Sequence, residues 1–150
     1  MIRFATPEDA PKVAEMVEPF FGMALTEMLG EYDRKAMQNL VAATTLSGDA
    51  CTIIAEVDGN MVGALCALSY LHPMKPSVRV AQEMFWWVEP EHRKGGTGKN
   101  MLQFCEAWAK SIGCNSMVMA TMHGIDHERN GAFYTRSGYK PFEYTYLRGF

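Results

Sequence analysis

The sequence predicts an α/β or α+β fold, a mixed sheet with helices packed on it, and three observations carry that expectation. Hydrophobic periodicity switches repeatedly between the two-residue repeat of strands and the 3.6-residue repeat of helices. Two strand-like runs, "CTIIAEV" and "MVGALCALSY", are joined by Asp58, Gly59 and Asn60, a hairpin signal that makes them antiparallel neighbours. Further on, a strand, a glycine loop, an amphipathic helix and another strand follow one another in the order of a crossover connection. A chain of 150 residues suits one domain spanning 1–150, which buries roughly 70% of its unfolded surface.

Each element has its own justification. "IRFA" reads as a short strand. Thr6, Pro7 and Asp9 then form a capping-box start, followed by Val13, Ala14, Val17 and Phe20 at helical spacing, with Pro11 blurring where that helix begins. A second helical region covers about 24–45, interrupted near Gly30. After the hairpin, a loop with Pro73 and Pro76 leads into the strand "VRVAQEMFWWV". Beyond the glycine loop, Met101, Phe104, Cys105, Trp108 and Ile112 recur on one helical face, which Gly113 stops. "SMVMAT" is a further strand, 129–137 a short helix and "PFEYTYL" a last strand.

Composition narrows the function. Hydrophobic residues make up 48% of the chain and the formal net charge is −3, so no global positive field draws it to nucleic acid. The longest apolar stretch, around 61–71, falls short of the ~18 residues a membrane helix needs, which points to a cytosolic protein without a membrane partner. Cys51, Cys66, Cys105 and Cys114 form no C-x-x-C pair and sit in apolar segments. They read as reduced, buried thiols rather than zinc ligands or a disulfide framework, and no metal site is expected.

The stretch "HRKGGTGKN" (92–100) carries the chemistry. A Walker A loop fails at two fixed positions: Arg93 stands where its first glycine belongs, and Asn100 where its magnesium-binding hydroxyl belongs. The dinucleotide pattern fails too, because Met101 occupies the place of its third glycine. What remains is a strand, a turn whose glycines let backbone amides approach a ligand, and a helix N-terminus with partial positive charge. Such a loop favours an anion. Arg93, Lys94 and Lys99 add three cations with no carboxylate between them; a solvated basic turn is the alternative.

"VEPEHRKGGTGKNML" (88–102) resembles motif A of the GCN5-related N-acetyltransferases, V-x-P-x-x-[RQ]-x-x-G-x-[GA]-x-x-[LM]. Val88, Pro90, Arg93, Gly96, Gly98 and Met101 all match it. "FYTRSGYKPFE" (133–143) resembles motif B of the same family, and "IRFATPEDAPKVAEMV" its opening strand and helix. The resemblance implies a mostly antiparallel, twisted sheet of six to seven strands with a parallel splayed pair, flanked by about four helices. It implies acetyl-CoA as cofactor, its pyrophosphate on the backbone of Arg93, Lys94, Gly95, Gly96, Thr97, Gly98 and Lys99. Its pantetheine arm would pair like an extra strand with the main chains of Trp86 and Val88.

The resemblance also implies roles. Tyr134 matches the motif B tyrosine that protonates the coenzyme A sulfur; a packed helix aromatic is the alternative. A backbone amide of "FWWV", that of Val88, would polarise the carbonyl oxygen. A glutamate on the strand before motif A commonly acts as base, and Glu83 is the carboxylate there. Counted back from Arg93, however, Gln82 occupies the usual place. One residue of slip reverses the face, and only a bulge restores it. Motif B commonly has asparagine seven residues before the tyrosine and alanine four before it. Here these positions are His127 and Asn130, and Asn130 is kept among the cofactor-binding candidates. His123 and His127 are candidates for a proton relay or the acceptor pocket, with solvated loop histidines the alternative, and His72 in the proline loop is treated likewise.

The implied activity is N-acyl transfer, acetyl from acetyl-CoA to a primary amine by direct attack in a ternary complex. The acceptor is a small-molecule or protein amine. Residues 1–33 hold seven acids against two bases, which is either an amine-attracting wall or a solvated helix face. A catalytically idle coenzyme A-binding module is the alternative from another class. Paired Trp86 and Trp87, with the aromatics of the final strand, point to a homodimer.

Overall fold

The computed structural model describes residues 1–150. In chain order the elements are β1 (Ile2–Phe4), a 3-10 turn at Pro7–Asp9, α1 (Ala10–Ala24), α2 (Thr26–Leu29), α3 (Arg34–Leu46), β2 (Ala50–Val57) and β3 (Asn60–His72). There follow β4 (Lys75–Val88), a 3-10 turn at Pro90–His92, α4 (Thr97–Ser111), β5 (Ser116–Val118) and α5 (His127–Arg136). One sheet runs in the order β1-β2-β3-β4-β5. Its pairs are antiparallel except β4 with β5, which the α4 crossover makes parallel.

Both faces of the sheet are covered, which is why β2 and β3 read as continuous apolar runs rather than alternating ones. Ile53, Leu65, Ala67 and Ala81 point to α4 and pack against Met101, Cys105 and Trp108. Ile54, Ala64, Cys66, Phe85 and Trp87 point the other way, onto Val13 and Val17 of α1 and Val41 of α3. Each large side chain removed from water here contributes roughly 1.5–3 kcal/mol. At the edge, Arg3 of β1 donates to both carboxylate oxygens of Asp9 (2.8 and 3.0 Å) and to Glu56 of β2 (2.8 Å), while the Thr6 amide donates to Asp9 (2.8 Å). The predicted capping box thus also ties the first helical turn to the sheet.

β4 contains the feature that positions the site. Cys66 pairs with Phe85 and Ala67 with Glu83, so Met84 is an extra, bulged residue. Alternation before the bulge places Glu83 on the face of Ala81. After it, Trp86 and Val88 lie on that same face, with Phe85 and Trp87 on the other. An unbulged strand would have turned Glu83 to the side of Phe85 and Trp87.

Several expectations require correction. The sheet has five strands rather than six or seven, and there are five α-helices rather than about four. The additional helix arises because Gly30, at φ +78°, breaks the 24–45 region into α2 and α3. The strand expected at "PFEYTYL" does not form: the last backbone hydrogen bond of the chain is from the Tyr139 amide to Tyr134, and 140–150 is exposed. "SMVMAT" contributes only Ser116–Val118 to the ladder. The proline loop is a tight turn at 73–74, and Pro76 lies within β4 where the register shifts and no ladder amide is needed. Trp87 is buried in the core and Trp86 half-buried.

All four cysteines are free thiols, with Cys51, Cys66 and Cys105 buried. No helix is long and apolar enough to cross a membrane. Ile54→Ala, which empties space on the α1 face, should cost about 2–5 kcal/mol in urea unfolding. Met74→Ala at the hairpin tip, where the side chain is 87% exposed, should change stability by less than about 0.5 kcal/mol.

Candidate active site

The glycine loop opens where β4 ends. Arg93 does not extend into solvent: its Nε donates to the Val88 carbonyl (2.8 Å) and its guanidinium stacks 4.6 Å over the Trp87 ring, closing the turn after Pro90–His92. Gly95 and Gly96 follow at φ +131° and +88°, conformations that a β-carbon strains. The first backbone bond of α4 runs from the Asn100 amide to Gly96 (2.9 Å). The amides of Thr97, Gly98 and Lys99 therefore precede the ladder and lie at the positive end of the helix dipole. Lys94, Gly95, Gly96 and Lys99 are exposed. A β-carbon on Gly98 would sit 3.4 Å from the Trp86 ring, so a small residue there lets the loop rest on that indole.

Beside the loop, the sheet splays. β5 pairs with β4 only from Val80 to Gln82, leaving the edge open from Glu83 onward. The Glu89 amide donates to Val62 of β3 (2.9 Å). By the alternation of an antiparallel pair, the main chains of Val88 and Trp86 then face away from β3, toward the open edge.

α5 closes the gap from the far side. Trp86 meets Phe133 (5.9 Å between centroids) and Tyr134 (6.2 Å). The Tyr134 hydroxyl donates to the Ala120 carbonyl (3.3 Å), and the Ala120 amide donates to Glu83 Oε2 (3.2 Å). The backbone of a single residue, Ala120, thus contacts both groups just beyond the end of β5. Burial pushes the Glu83 carboxyl up to about 7, offset in part by the Ala120 amide. Burial, and then the charge of Glu83, push Tyr134 above its ordinary value, so it remains a neutral phenol at physiological pH. The indole Nε1 of Trp86 is buried with no hydrogen-bond partner, as is that of Trp87.

Glu83, Trp86, Val88, Tyr134 and the 93–99 loop therefore converge on one gap. Gln82 lies outside it, exposed. The Asn130 side chain donates to the Ile125 carbonyl (3.4 Å), bracing the turn before α5. His127 Nδ1 shares a 2.6 Å hydrogen bond with the Thr121 hydroxyl, and its ring lies 6.4 Å from His123. His72 accepts from the Met74 amide (3.3 Å) at the hairpin tip, the opposite end of β4. Sequence reasoning missed Ala120 as the connecting group, since a backbone contact leaves no residue signature. The bulge at Met84 was signalled only by the conflict over the register of Glu83.

Several acids of residues 1–33 are internally engaged: Asp9 by Arg3, Glu15 by Lys12, Glu18 by Arg34, and Asp33 by the Ala36 amide. Arg3 and Lys12 already count in that balance, so of these contacts only the Arg34–Glu18 pair reduces the local charge.

Fold and site together define a class: mixed α/β proteins with an anion-accepting helix start beside a splayed parallel strand pair. The chain belongs to the acetyltransferase (GNAT) family, whose sequence model matches residues 12–139. No curated protein matches it by sequence. Solved structures share its fold across nearly the whole chain. One is a ribosomal-protein-alanine N-acetyltransferase from Brucella melitensis biovar Abortus 2308, 19% identical with a TM-score of 0.76, covering 100% of this chain and 98% of that one. Another is AAC(6')-Iy with the bisubstrate analogue CoA-S-monomethyl-acetylneamine, 16% identical with a TM-score of 0.78, covering 99% and 96%. A third is a Trypanosoma brucei acetyltransferase, 15% identical with a TM-score of 0.73, covering 100% and 99%.

The Glu83 environment has a consequence for stability. Its folded pKa of about 7 lies above the ordinary 4.5, so between these values the folded state holds the extra proton and stability falls as pH rises. Glu83→Gln should flatten that slope and raise the melting temperature at pH 8, as calorimetry across pH 4–8 would show.

Proposed function

We propose that this protein is an acyl-CoA-dependent N-acyltransferase that moves an acetyl group from acetyl-CoA to a primary amine by direct attack in a ternary complex. The observation that carries the reading is the Glu83–Ala120–Tyr134 connection, which sets a carboxylate and a neutral phenol in one gap beside an anion-accepting helix start. The residues present suit coenzyme A. Amides at the start of α4 and left-handed glycines accept a pyrophosphate, and an open strand edge accepts an amide-bearing linear chain. The analogue bound to AAC(6')-Iy lends the same support.

Acetyl-CoA, when bound, supplies an activated acyl carbon and a thiolate leaving group. The amides of 93–99 bind its pyrophosphate, with Lys94 and Lys99 adding exposed positive charge, while Trp86 and Val88 pair with its arm through their main chains. Glu83 takes a proton from the incoming amine. An amine near pKa ~10 is mostly ammonium at neutral pH, and a carboxylate near 7 is both ionised enough and basic enough to serve. Tyr134, held neutral, gives its proton to the departing sulfur. The Val88 amide, directed toward the open edge, donates to the carbonyl oxygen as charge develops there. The acceptor is a small-molecule or protein amine.

Calorimetric titration with acetyl-CoA, free coenzyme A and ATP tests the reading, with micromolar binding expected of the first two and none of the third. Gly96→Glu should abolish that binding: its β-carbon meets no atom within 4 Å, but the new charge opposes the anion and a side chain at φ +88° strains the loop that presents the amides. Unchanged affinity would remove the loop from the site. Tyr134→Phe should lower kcat by about 100-fold, the scale of a lost general acid, with donor affinity within about twofold; equal turnover would make Tyr134 a packing residue only.

A further inference from the structure

Two side chains of α5 reach back to the stretch that leaves β5. His127 and Tyr134 stand two turns apart on the helix and so share one face. Tyr134 donates to the Ala120 carbonyl, and His127 Nδ1 shares its hydrogen bond with the hydroxyl of the next residue, Thr121. Little else holds this stretch. The ladder with β4 ends at Val118, and the one backbone–backbone hydrogen bond made by residues 119–123 is local, from the Ile125 amide to the Met122 carbonyl (3.2 Å).

The contacts differ in length, and the difference gives them different roles. At 3.3 Å the Tyr134–Ala120 bond lies beyond the ~2.5–3.0 Å usual for a hydroxyl donor to oxygen, and the Ala120 amide reaches Glu83 at 3.2 Å. The His127–Thr121 bond is the shortest of the three at 2.6 Å. A phenol that gives its proton elsewhere must release the Ala120 carbonyl, which a long bond permits. His127–Thr121 is then the remaining hydrogen bond from α5 to residues 119–123. We propose that His127 is a positioning residue: through Thr121 it clasps α5, and with it Tyr134, to the Ala120 backbone while the Tyr134 hydroxyl leaves to serve the sulfur.

The start of α5 is shaped accordingly. Asp126, at φ +45°, is one of two non-glycine residues at positive φ; the other, Asp58, lies in the hairpin turn between β2 and β3, where that conformation is ordinary. Asp126 makes no side-chain cap hydrogen bond, so capping does not account for its backbone. Its left-handed conformation, braced by Asn130 on Ile125, begins the helix at His127 with the ring on Thr121. The catalytic consequence rests on the function proposed above; the clasp itself does not. What the clasp requires is a hydrogen-bonding atom at the place of Nδ1 rather than an imidazole that titrates. Asparagine carries such an atom at the same distance from its β-carbon, whereas glutamine carries it one bond farther out.

The test is hydrogen exchange of the Ala120 amide in the full chain, followed by NMR, with thiol release from acetyl-CoA and propylamine as a second readout. His127→Ala and Thr121→Val should each speed that exchange by about tenfold, the scale of one lost hydrogen bond. Each should lower kcat by a similar factor while the KM for acetyl-CoA stays within about twofold. Because both remove the same bond, the double variant should be no worse than either single one. His127→Asn should restore exchange and turnover, and His127→Gln neither. Unchanged Ala120 exchange, additive effects, or failure of asparagine to restore them would each overturn the positioning role. Loss of acetyl-CoA affinity in His127→Ala would overturn it too, by making the ring a contact of the donor. Exchange decides the clasp whether or not propylamine is accepted. Wild-type protein that binds no acetyl-CoA, with exchange responding as stated, would remove the function proposed above and leave the clasp standing.

Discussion

Between the Cys66–Phe85 and Ala67–Glu83 pairs the central hairpin admits one extra residue, Met84, and the site depends on that bulge. It turns Glu83 onto the α4 face, where the carboxylate takes the Ala120 amide instead of leaving it to a strand ladder. Because that amide is occupied by a side chain, β5 stops at Val118 and the parallel pair opens. A bulge costs local pairing; here the lost pairing is the gap itself, and the edge it frees carries the main chains of Trp86 and Val88.

Around the gap, electrostatics and packing reinforce one another. Arg93, by position one of the loop's cations, spends its charge on the Val88 carbonyl and the Trp87 face, which fixes where the glycines begin. The loop's pull on an anion then comes mainly from amides and the helix dipole, with Lys94 and Lys99 at its rim. Trp86 supports Gly98 from below and meets Phe133 and Tyr134 on its other side. One indole thus sets the spacing between loop and α5. Burial that keeps Tyr134 neutral also raises Glu83 toward neutrality.

The scaffold gives this arrangement a rigid base. β2, β3 and β4 are buried on both faces, α1 and α3 on one side and α4 on the other. The positive-φ turn at Gly95 and Gly96 and the bulge after Glu83 lie beyond the stretch of β4 that pairs with β5.

Local order was legible in the sequence wherever one residue's chemistry decides the backbone. The Thr6–Asp9 box, the Asp58–Asn60 hairpin, the break at Gly30, the glycine loop and the amphipathic face of α4 all follow from φ preference, capping or periodicity. Family motifs placed Tyr134 and the loop in one site because their spacing along the chain reflects a fixed strand–loop–helix unit. Tertiary structure alone decided what depends on partners distant in sequence. The face of Glu83 turns on a bulge set by pairing with β3, and Ala120 acts through its backbone, which any residue type supplies. Arg93 carries the same charge whether it meets solvent or an indole, so its engagement could not be read from spacing. "PFEYTYL" has the pattern of a strand, but a strand exists only where a second edge accepts it, and which edge that is lies outside the information of a local sequence.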